Sequence, residues 1–201
     1  MLDRHVLRIL KPAIDFGATG LHRMGCNADH VTLAGFGPGM VAAALIGTGH
    51  FTLAIAFILA SRAMDGLDGA VARLCGTTDR GAFLDISLDF LFYGAIPLAF
   101  ALANPQANAL AAAVLLAAFV GTGSSFLAYA IIAEKVGLKS TAYPSKAFYY
   151  LGGLTEGTET VACFIVMCIW PEHFAPIAFV YAVLCTLTTF MRLVAGWKSF
   201  S

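Results

Sequence analysis

The chain has 201 residues, of which 59% are hydrophobic and 12% are charged, and its formal net charge is zero. Soluble domains carry about 25% charged residues, so this composition, with a mean hydropathy of +0.81, excludes an ordinary soluble protein and indicates an integral membrane protein. No basic run is present, which argues against nucleic acid as a partner. The five cysteines include no CxxC pair, and their odd number predicts no disulfide framework.

The first 22 residues are too polar to cross a bilayer. Apolar positions such as Val6, Ile9 and Leu10 are interleaved with Arg4 and Arg8. Such a pattern is typical of an amphipathic helix that lies in the membrane surface. We therefore expect an N-terminal juxtamembrane helix over residues 1–22, and the alternative is a helix packed on the rest of the protein.

Six hydrophobic stretches follow, each close to the roughly 20 apolar residues that a membrane-spanning helix needs. They lie at about 31–47, 51–74, 81–103, 107–133, 147–169 and 175–197. The sequence therefore predicts an all-α integral membrane bundle of six transmembrane helices. Residues 1–201 form one domain in this interpretation, with the six-helix core at 31–197.

The connections between these stretches differ in charge. Those at 49–50, 104–106 and 171–173 contain no Lys or Arg, whereas the opposite set holds Arg73, Arg80, Lys135, Lys139 and Lys146. Because positively charged loops stay in the cytoplasm, both termini are predicted to be cytoplasmic. Short loops favour a bacterial inner membrane.

Four acidic residues fall within the second and third predicted spans. Asp65 and Asp68 are spaced i,i+3, and Asp85 and Asp89 are spaced i,i+4, so each pair lies on one face of its helix. A charge at the bilayer centre costs roughly 2.5–3.5 kcal/mol on insertion, which indicates a functional site. The antiparallel helices bring all four carboxylates to a similar depth near the cytoplasmic side. A divalent cation such as Mg²⁺ would relieve their mutual repulsion and would share them with substrate phosphates.

The neighbouring residues fit a phosphate-containing substrate. Gly66 and Gly69 let a ligand approach the backbone, and Arg73 offers a planar fork of donors that suits phosphate oxygens. Gly76 and Gly81 flank a tight turn that closes the site.

The pattern Asp65-x2-Asp68-Gly69-x2-Ala72-Arg73, followed by Gly81-x3-Asp85-x3-Asp89, resembles the signature of the CDP-alcohol phosphatidyltransferases. Three departures are visible. Seven residues separate Arg73 from Gly81, where the family more often has eight or nine. Phe90 stands where a Lys or Arg often follows the last Asp, and only Thr32 is kept from the stretch that precedes the first span.

The resemblance implies a phospholipid biosynthesis enzyme. A CDP-linked lipid, usually CDP-diacylglycerol, would donate its phosphatidyl group to the hydroxyl of a small alcohol, and CMP would leave. The site would hold one or two Mg²⁺ or Mn²⁺ ions through Asp65, Asp68, Asp85 and Asp89, and Asp89 would also be the catalytic base. The resemblance further implies a homodimer and a CDP-binding set of Gly69, Ala72, Arg73, Thr78, Gly81 and Thr32.

Other polar residues have open interpretations. Arg62 pairs with Asp65 or lines the acceptor pocket. Lys146 contacts substrate phosphate or is an ordinary cytoplasmic charge, and the same two alternatives apply to Arg192. Glu156 and Glu159, inside the fifth predicted span, recognise the acceptor or make polar contacts with neighbouring threonines. A divalent-cation transporter, a membrane prenyltransferase and a non-catalytic membrane protein are the alternative functions, and metal-dependent release of CMP distinguishes them from the transferase.

Overall fold

The computed structural model describes residues 3–137 and 153–200, and every regular element among them is helical. The elements are α1 (Asp3–Arg23), α2 (Ala28–Gly47), α3 (Phe51–Cys75), α4 (Asp79–Ala103), α5 (Pro105–Lys135), α6 (Gly157–Ile169), a 3₁₀ turn (Pro171–His173) and α7 (Phe174–Ser199). The predicted all-α architecture is confirmed.

The helices have the length and composition of a membrane bundle. Within the described residues, α2, α4, α5 and the segment Pro171–Ser199 are each long and apolar enough to cross a membrane. Helix α3 has the same 25-residue length as α4, but its second half carries the charges of the predicted site. Helix α6 is apolar and has 13 residues. The chain is thus an all-α membrane protein, as predicted.

The fifth predicted span differs from the structure at its start. Residues 147–152 lie outside the described residues, and α6 begins only at Gly157, after four non-helical residues. Glu156 has extended backbone angles and is the residue before the helix. The prediction that Glu156 lies inside a span was therefore wrong. The segment at 151–157, LGGLTEG, contains three glycines, which disfavour a helix.

Helix α1 packs along α3 through its apolar face. Ala18 is buried together with Val31, Ala70 and Val71. A Cβ atom at Gly17 would lie 2.9 Å from the Cδ2 of Leu67, so the two helices are in close contact. The predicted N-terminal helix is confirmed, and its apolar face packs on the rest of the protein.

The apolar core lies toward the C-terminal half of α4. Phe92, Ile96 and Phe100 are fully buried there, and the Phe100 ring stacks 4.5 Å from the ring of Phe174. The acidic residues occupy the N-terminal half of α4 and the C-terminal half of α3. The polar site is therefore confined to one end of the bundle.

Candidate active site

A short turn between α3 and α4 sets the geometry of the site. Helix α3 ends at Cys75 and α4 begins at Asp79, with Gly76 in the left-handed region at φ +93°. The Thr78 hydroxyl accepts a hydrogen bond of 3.0 Å from the Gly81 N–H and so caps α4. The turn brings the acidic faces of the two helices together.

Three carboxylates meet at this end of the bundle. One oxygen from each of Asp65, Asp68 and Asp85 can be chosen so that all three lie within 4.8 Å of one another. Asp68 is buried, and its Oδ2 atom has no hydrogen-bond partner among the described residues. Carboxylate oxygens are the ligands that Mg²⁺ and Mn²⁺ prefer. The cluster therefore fits a divalent cation, and a buried anionic oxygen is left for such a cation to satisfy.

Asp89 lies one turn further along α4 and has a different partner. The Arg62 Nη1 atom donates a hydrogen bond of 2.7 Å to Asp89 Oδ1 and lies 3.4 Å from Asp65 Oδ1. The predicted pairing of Arg62 with Asp65 is observed, and the pairing with Asp89 is closer. Asp89 is not one of the three clustered carboxylates, so its role as a metal ligand stays a prediction.

A pocket between α2, α3 and α4 contains all of these charged groups. Its walls are formed by Thr32, Gly35, Phe36, Ser61, Arg62, Asp65, Asp68, Asp85, Leu88 and Asp89. Thr32, predicted from the partial match before the first span, is one of them. The sequence reasoning missed Ser61, which precedes Asp65 by four residues. That helical spacing places both on one face and could have identified it.

The remaining residues of the predicted CDP-binding set lie outside this pocket, toward the α3–α4 turn. Arg73 is exposed, and one of its guanidinium nitrogens lies 3.6 Å from where a Cβ atom of Gly69 would be. Ala72 is half-buried beside it.

Gly81 and Thr78 have a structural role at the turn. A Cβ atom at Gly81 would lie 3.0 Å from Asp29 Oδ1 and 3.1 Å from Thr78 Oγ1. Buried Asp29 in turn accepts a hydrogen bond of 2.8 Å from the Nε of Arg80. The Asp29–Arg80 ion pair, which the sequence reasoning missed, therefore ties the start of α2 to the start of α4.

The start of α6, which separates the acceptor-pocket candidates Glu156 and Glu159, lies close to Tyr93. A Cβ atom at Gly157 would be 3.4 Å from the Tyr93 hydroxyl, and the Arg62 guanidinium lies 5.8 Å from the Tyr93 ring. Glu156 is buried and accepts a hydrogen bond of 3.1 Å from the Gly153 N–H. Glu156 and Glu159 are not among the residues that line the pocket of the carboxylate cluster, and Lys146 lies outside the described residues.

Two other residues differ from their expected surroundings. Arg192 is buried, donates a hydrogen bond of 2.9 Å to the Thr122 carbonyl and lies over the Phe126 ring. The interpretation of Arg192 as an ordinary cytoplasmic charge was wrong. Arg192 lies within α7, which continues to Ser199, and its side chain faces α5 instead of solvent. Phe90, which replaces a frequent Lys or Arg, packs closely on Gly123 of α5.

The close approach of α2 to α3 gives a testable prediction. A Cβ atom at Gly35 would lie 2.9 Å from the Met64 Cβ, whereas Gly37 has open space around it. We expect Gly35→Ala to lower stability by about 1–3 kcal/mol, because the added methyl separates the helices that carry Thr32 and Asp65. Thermal unfolding in detergent measures this effect. Gly37→Ala is the matched control, and equal melting temperatures for both variants would contradict the prediction.

Comparison with known proteins gives the family. A family model described as CDP-alcohol phosphatidyltransferase matches residues 27–191, which include every acidic residue of the site. The chain belongs to the CDP-alcohol phosphatidyltransferase family. The resemblance read from the Asp-Gly-Ala-Arg motif is therefore confirmed.

Relatives of this CDP-alcohol phosphatidyltransferase include one curated protein and solved structures. The "Inner membrane protein YnjF" of Escherichia coli strain K12 is 48% identical over 197 residues, covering 98% of this chain and 96% of that protein. A solved structure of the Mycobacterium tuberculosis phosphatidylinositol phosphate synthase PgsA1, with CDP-DAG bound, has a TM-score of 0.73 to this chain at 23% sequence identity. The matched region covers 92% of this chain and 93% of the synthase chain.

A second structure of the same synthase, in complex with manganese and citrate, has a TM-score of 0.70 at 24% identity. The matched region covers 92% of this chain and 88% of the synthase chain. At these identities the two structures establish a shared fold. The predicted architecture of this transferase is thus confirmed by its structural neighbours as well as by its own helices.

Proposed function

We propose that this protein transfers a phosphatidyl group from CDP-diacylglycerol to the hydroxyl of a small alcohol and releases CMP, in a divalent-metal-dependent reaction. Family membership supports phosphatidyl transfer. The observation that carries the metal dependence is the meeting of Asp65, Asp68 and Asp85 within 4.8 Å. Structures of a neighbour with the same fold contain CDP-DAG in one case and manganese in the other.

Asp65, Asp68 and Asp85 would hold Mg²⁺ or Mn²⁺, which neutralises negative charge on the diphosphate as the bond to CMP breaks. Arg73, exposed one turn beyond Gly69, would donate hydrogen bonds to the diphosphate oxygens. The Gly69 backbone, with no side chain, leaves room for the nucleotide to approach α3. Thr78 and Gly81 shape the turn on which the nucleotide would rest. Ala72 would contact the nucleotide from α3, and Thr32 would contact it from the pocket.

Asp89 is the proposed base. It lies in the pocket beside the carboxylate cluster without being part of it. The acceptor hydroxyl gives its proton to the Asp89 carboxylate, its oxygen forms a bond to the phosphatidyl phosphorus, and the bond from that phosphorus to CMP breaks. The acceptor must therefore lie next to Asp89. The largely buried Arg62 guanidinium, 17% exposed, lies beside this carboxylate and opposes passage of a cation, which disfavours the transporter alternative.

Because the acceptor must lie next to Asp89, we propose that it binds near the N-terminus of α6. The Tyr93 ring lies 5.8 Å from the Arg62 guanidinium, and the Tyr93 hydroxyl lies close to Gly157. Glu156 precedes Gly157 and Glu159 follows it by two residues, so these two acids would recognise the acceptor. A carboxylate there would bind hydroxyl or amino groups of the alcohol. The proposal includes Lys146 as a cytoplasmic cation for a phosphate-bearing acceptor.

The proposed location is the bacterial inner membrane, with both termini and the site facing the cytoplasm. The curated relative is named an inner membrane protein. Arg73 and Arg80 belong to the connection beside the carboxylate cluster, whereas the connections at 49–50, 104–106 and 171–173 contain no Lys or Arg, and this charge asymmetry supports a cytoplasmic site. A homodimer is proposed from the resemblance, and the exposed apolar residues of α5 and α7, such as Val120 and Phe190, would face lipid or a second copy.

The function is tested by supplying the purified protein with radiolabelled CDP-diacylglycerol and Mg²⁺ or Mn²⁺. Glycerol 3-phosphate, inositol 1-phosphate, myo-inositol, serine, choline and ethanolamine are added one at a time, and CMP and the lipid product are followed. One alcohol is expected to give a metal-dependent product. A folded preparation that releases no CMP with any of them would contradict the proposal.

The acceptor role of Glu156 leads to a separate prediction. We expect Glu156→Gln to raise the KM for the acceptor about tenfold or more, because a charge-assisted hydrogen bond contributes about 1.5–3 kcal/mol. The KM for CDP-diacylglycerol should not change. Steady-state kinetics in both substrates measures the two constants. Glu172→Gln, at an exposed carboxylate in the 3₁₀ turn, is the control, and an unchanged acceptor KM in Glu156→Gln would remove the recognition role.

A further inference from the structure

Arg62 lies between Asp89 of α4 and Asp65 of α3. Its Nη1 atom is 2.7 Å from Asp89 Oδ1 and 3.4 Å from Asp65 Oδ1, so a single guanidinium bridges acids from α4 and α3. In two-metal sites the ions lie about 3.5–4 Å apart, so two adjacent groups of carboxylates are needed to hold them. A cation that bridges Asp65 and Asp89 is already supplied here by the protein itself.

The guanidinium is held in this position by its surroundings. It lies over the ring of Phe92, 4.3 Å from the centroid, and Phe92 is fully buried. Nη2 donates a hydrogen bond of 3.3 Å to the Ser61 hydroxyl, which itself donates 2.8 Å to the Gly35 carbonyl. The Arg62 side chain is 17% exposed. These contacts from α2, α3 and α4 fix the positive charge against the two carboxylates.

We infer that Arg62 takes the place of a second metal ion, so that this chain binds a single divalent cation through Asp65, Asp68 and Asp85. Asp89 is then the partner of Arg62 rather than a metal ligand. The inference rests on the proposed function, since it concerns the same site. Arg62 is a positioning residue in this arrangement: it orients the carboxylate of the proposed base and keeps a second ion away from it.

Mn²⁺ binding to the purified full-length protein tests this inference without measuring turnover. Calorimetry gives the number of ions per chain, and electron paramagnetic resonance distinguishes an isolated Mn²⁺, with six hyperfine lines, from a coupled pair. The wild-type protein is expected to bind one isolated ion. Arg62→Met removes the charge and keeps the length of the side chain, and it is expected to bind two coupled ions.

Three further variants complete the experiment. Arg62→Met combined with Asp89→Asn should return to one ion, because the second ion would need Asp89. Asp89→Asn alone should still bind the single ion, with an affinity for Mn²⁺ that changes less than threefold. Because Arg62 is retained in this variant, the result does not depend on whether Arg62→Met folds. Arg80→Met removes a different paired arginine, outside the carboxylate cluster, and should also bind one ion.

The outcomes separate this inference from the proposed function. Two ions in the wild-type protein, or one ion in a folded Arg62→Met variant, would overturn the inference and leave the metal-dependent transferase intact. Loss of the ion in Asp89→Asn would make Asp89 a ligand and would also overturn it. A folded wild-type protein that binds no Mn²⁺ at all would instead contradict the proposed metal dependence, and the inference would fail with it.

Discussion

Replacing Asp68 with Asn is expected to lower metal-dependent CMP release by about 1000-fold or more, which corresponds to roughly 4 kcal/mol of transition-state stabilisation. Asp68 is the buried member of the cluster, and its Oδ2 atom has no protein partner among the described residues. The substitution removes one of three carboxylates from the proposed metal site. A metal ion supplies several kcal/mol of charge stabilisation at a phosphoryl oxygen, so its loss accounts for an effect of this size.

The measurement is CMP release at increasing Mg²⁺ or Mn²⁺, together with Mn²⁺ binding by calorimetry. The Asp68→Asn variant should show weakened binding as well as slow turnover. Asp79→Asn is the matched control, because Asp79 is exposed in the first turn of α4 and has no place in the cluster. A folded Asp68→Asn protein with more than a tenth of wild-type activity would show that the cluster does not hold the catalytic metal.

Replacing Asp89 with Asn is expected to lower turnover by about 100- to 10,000-fold, the range that general base catalysis contributes. The amide cannot take the proton of the acceptor hydroxyl. Asp89 contacts Arg62 and is absent from the group of three clustered carboxylates. Binding of CDP-diacylglycerol and of Mn²⁺ should therefore persist, in contrast to Asp68→Asn.

Rapid-mixing measurement of CMP release, with separate equilibrium binding of donor and metal, checks this expectation. Asp89→Glu keeps a carboxylate with a longer side chain and should recover part of the lost rate. Thermal unfolding shows whether the loss of the Arg62 ion pair changes stability. Turnover within threefold of wild type in Asp89→Asn would exclude Asp89 as the base.

Much of the fold follows from local sequence patterns. Apolar stretches of sufficient length predict helices in a membrane because every backbone hydrogen bond is made within the segment. The predicted limits of the first four spans agree with α2, α3, α4 and α5 to within a few residues. The fifth predicted span was wrong at residues 153–156, because a run of apolar and small residues does not by itself show that the stretch before Gly157 is non-helical.

The candidate site was also predictable in part. The spacing of Asp65 with Asp68, and of Asp85 with Asp89, is a local property of a helix, and a three-residue turn makes the facing of the two pairs a geometric consequence. The sequence could not show which three of the four carboxylates cluster, because that depends on how each helix is rotated in the bundle. Phe36 lines the pocket for the same reason, because its place there depends on the rotation of α2.

The sequence by itself determined that this chain is an all-α membrane protein with a metal-fitting acidic motif in the CDP-alcohol phosphatidyltransferase family. Only the tertiary structure decided which charges pair. Arg62 meets Asp89 across 27 residues, Arg80 meets Asp29 across 51, and Arg192 meets Thr122 across 70. Helical periodicity fixes neighbours three and four residues apart, whereas these contacts depend on the packing of separate helices, and they decide where the positive charges of the site lie.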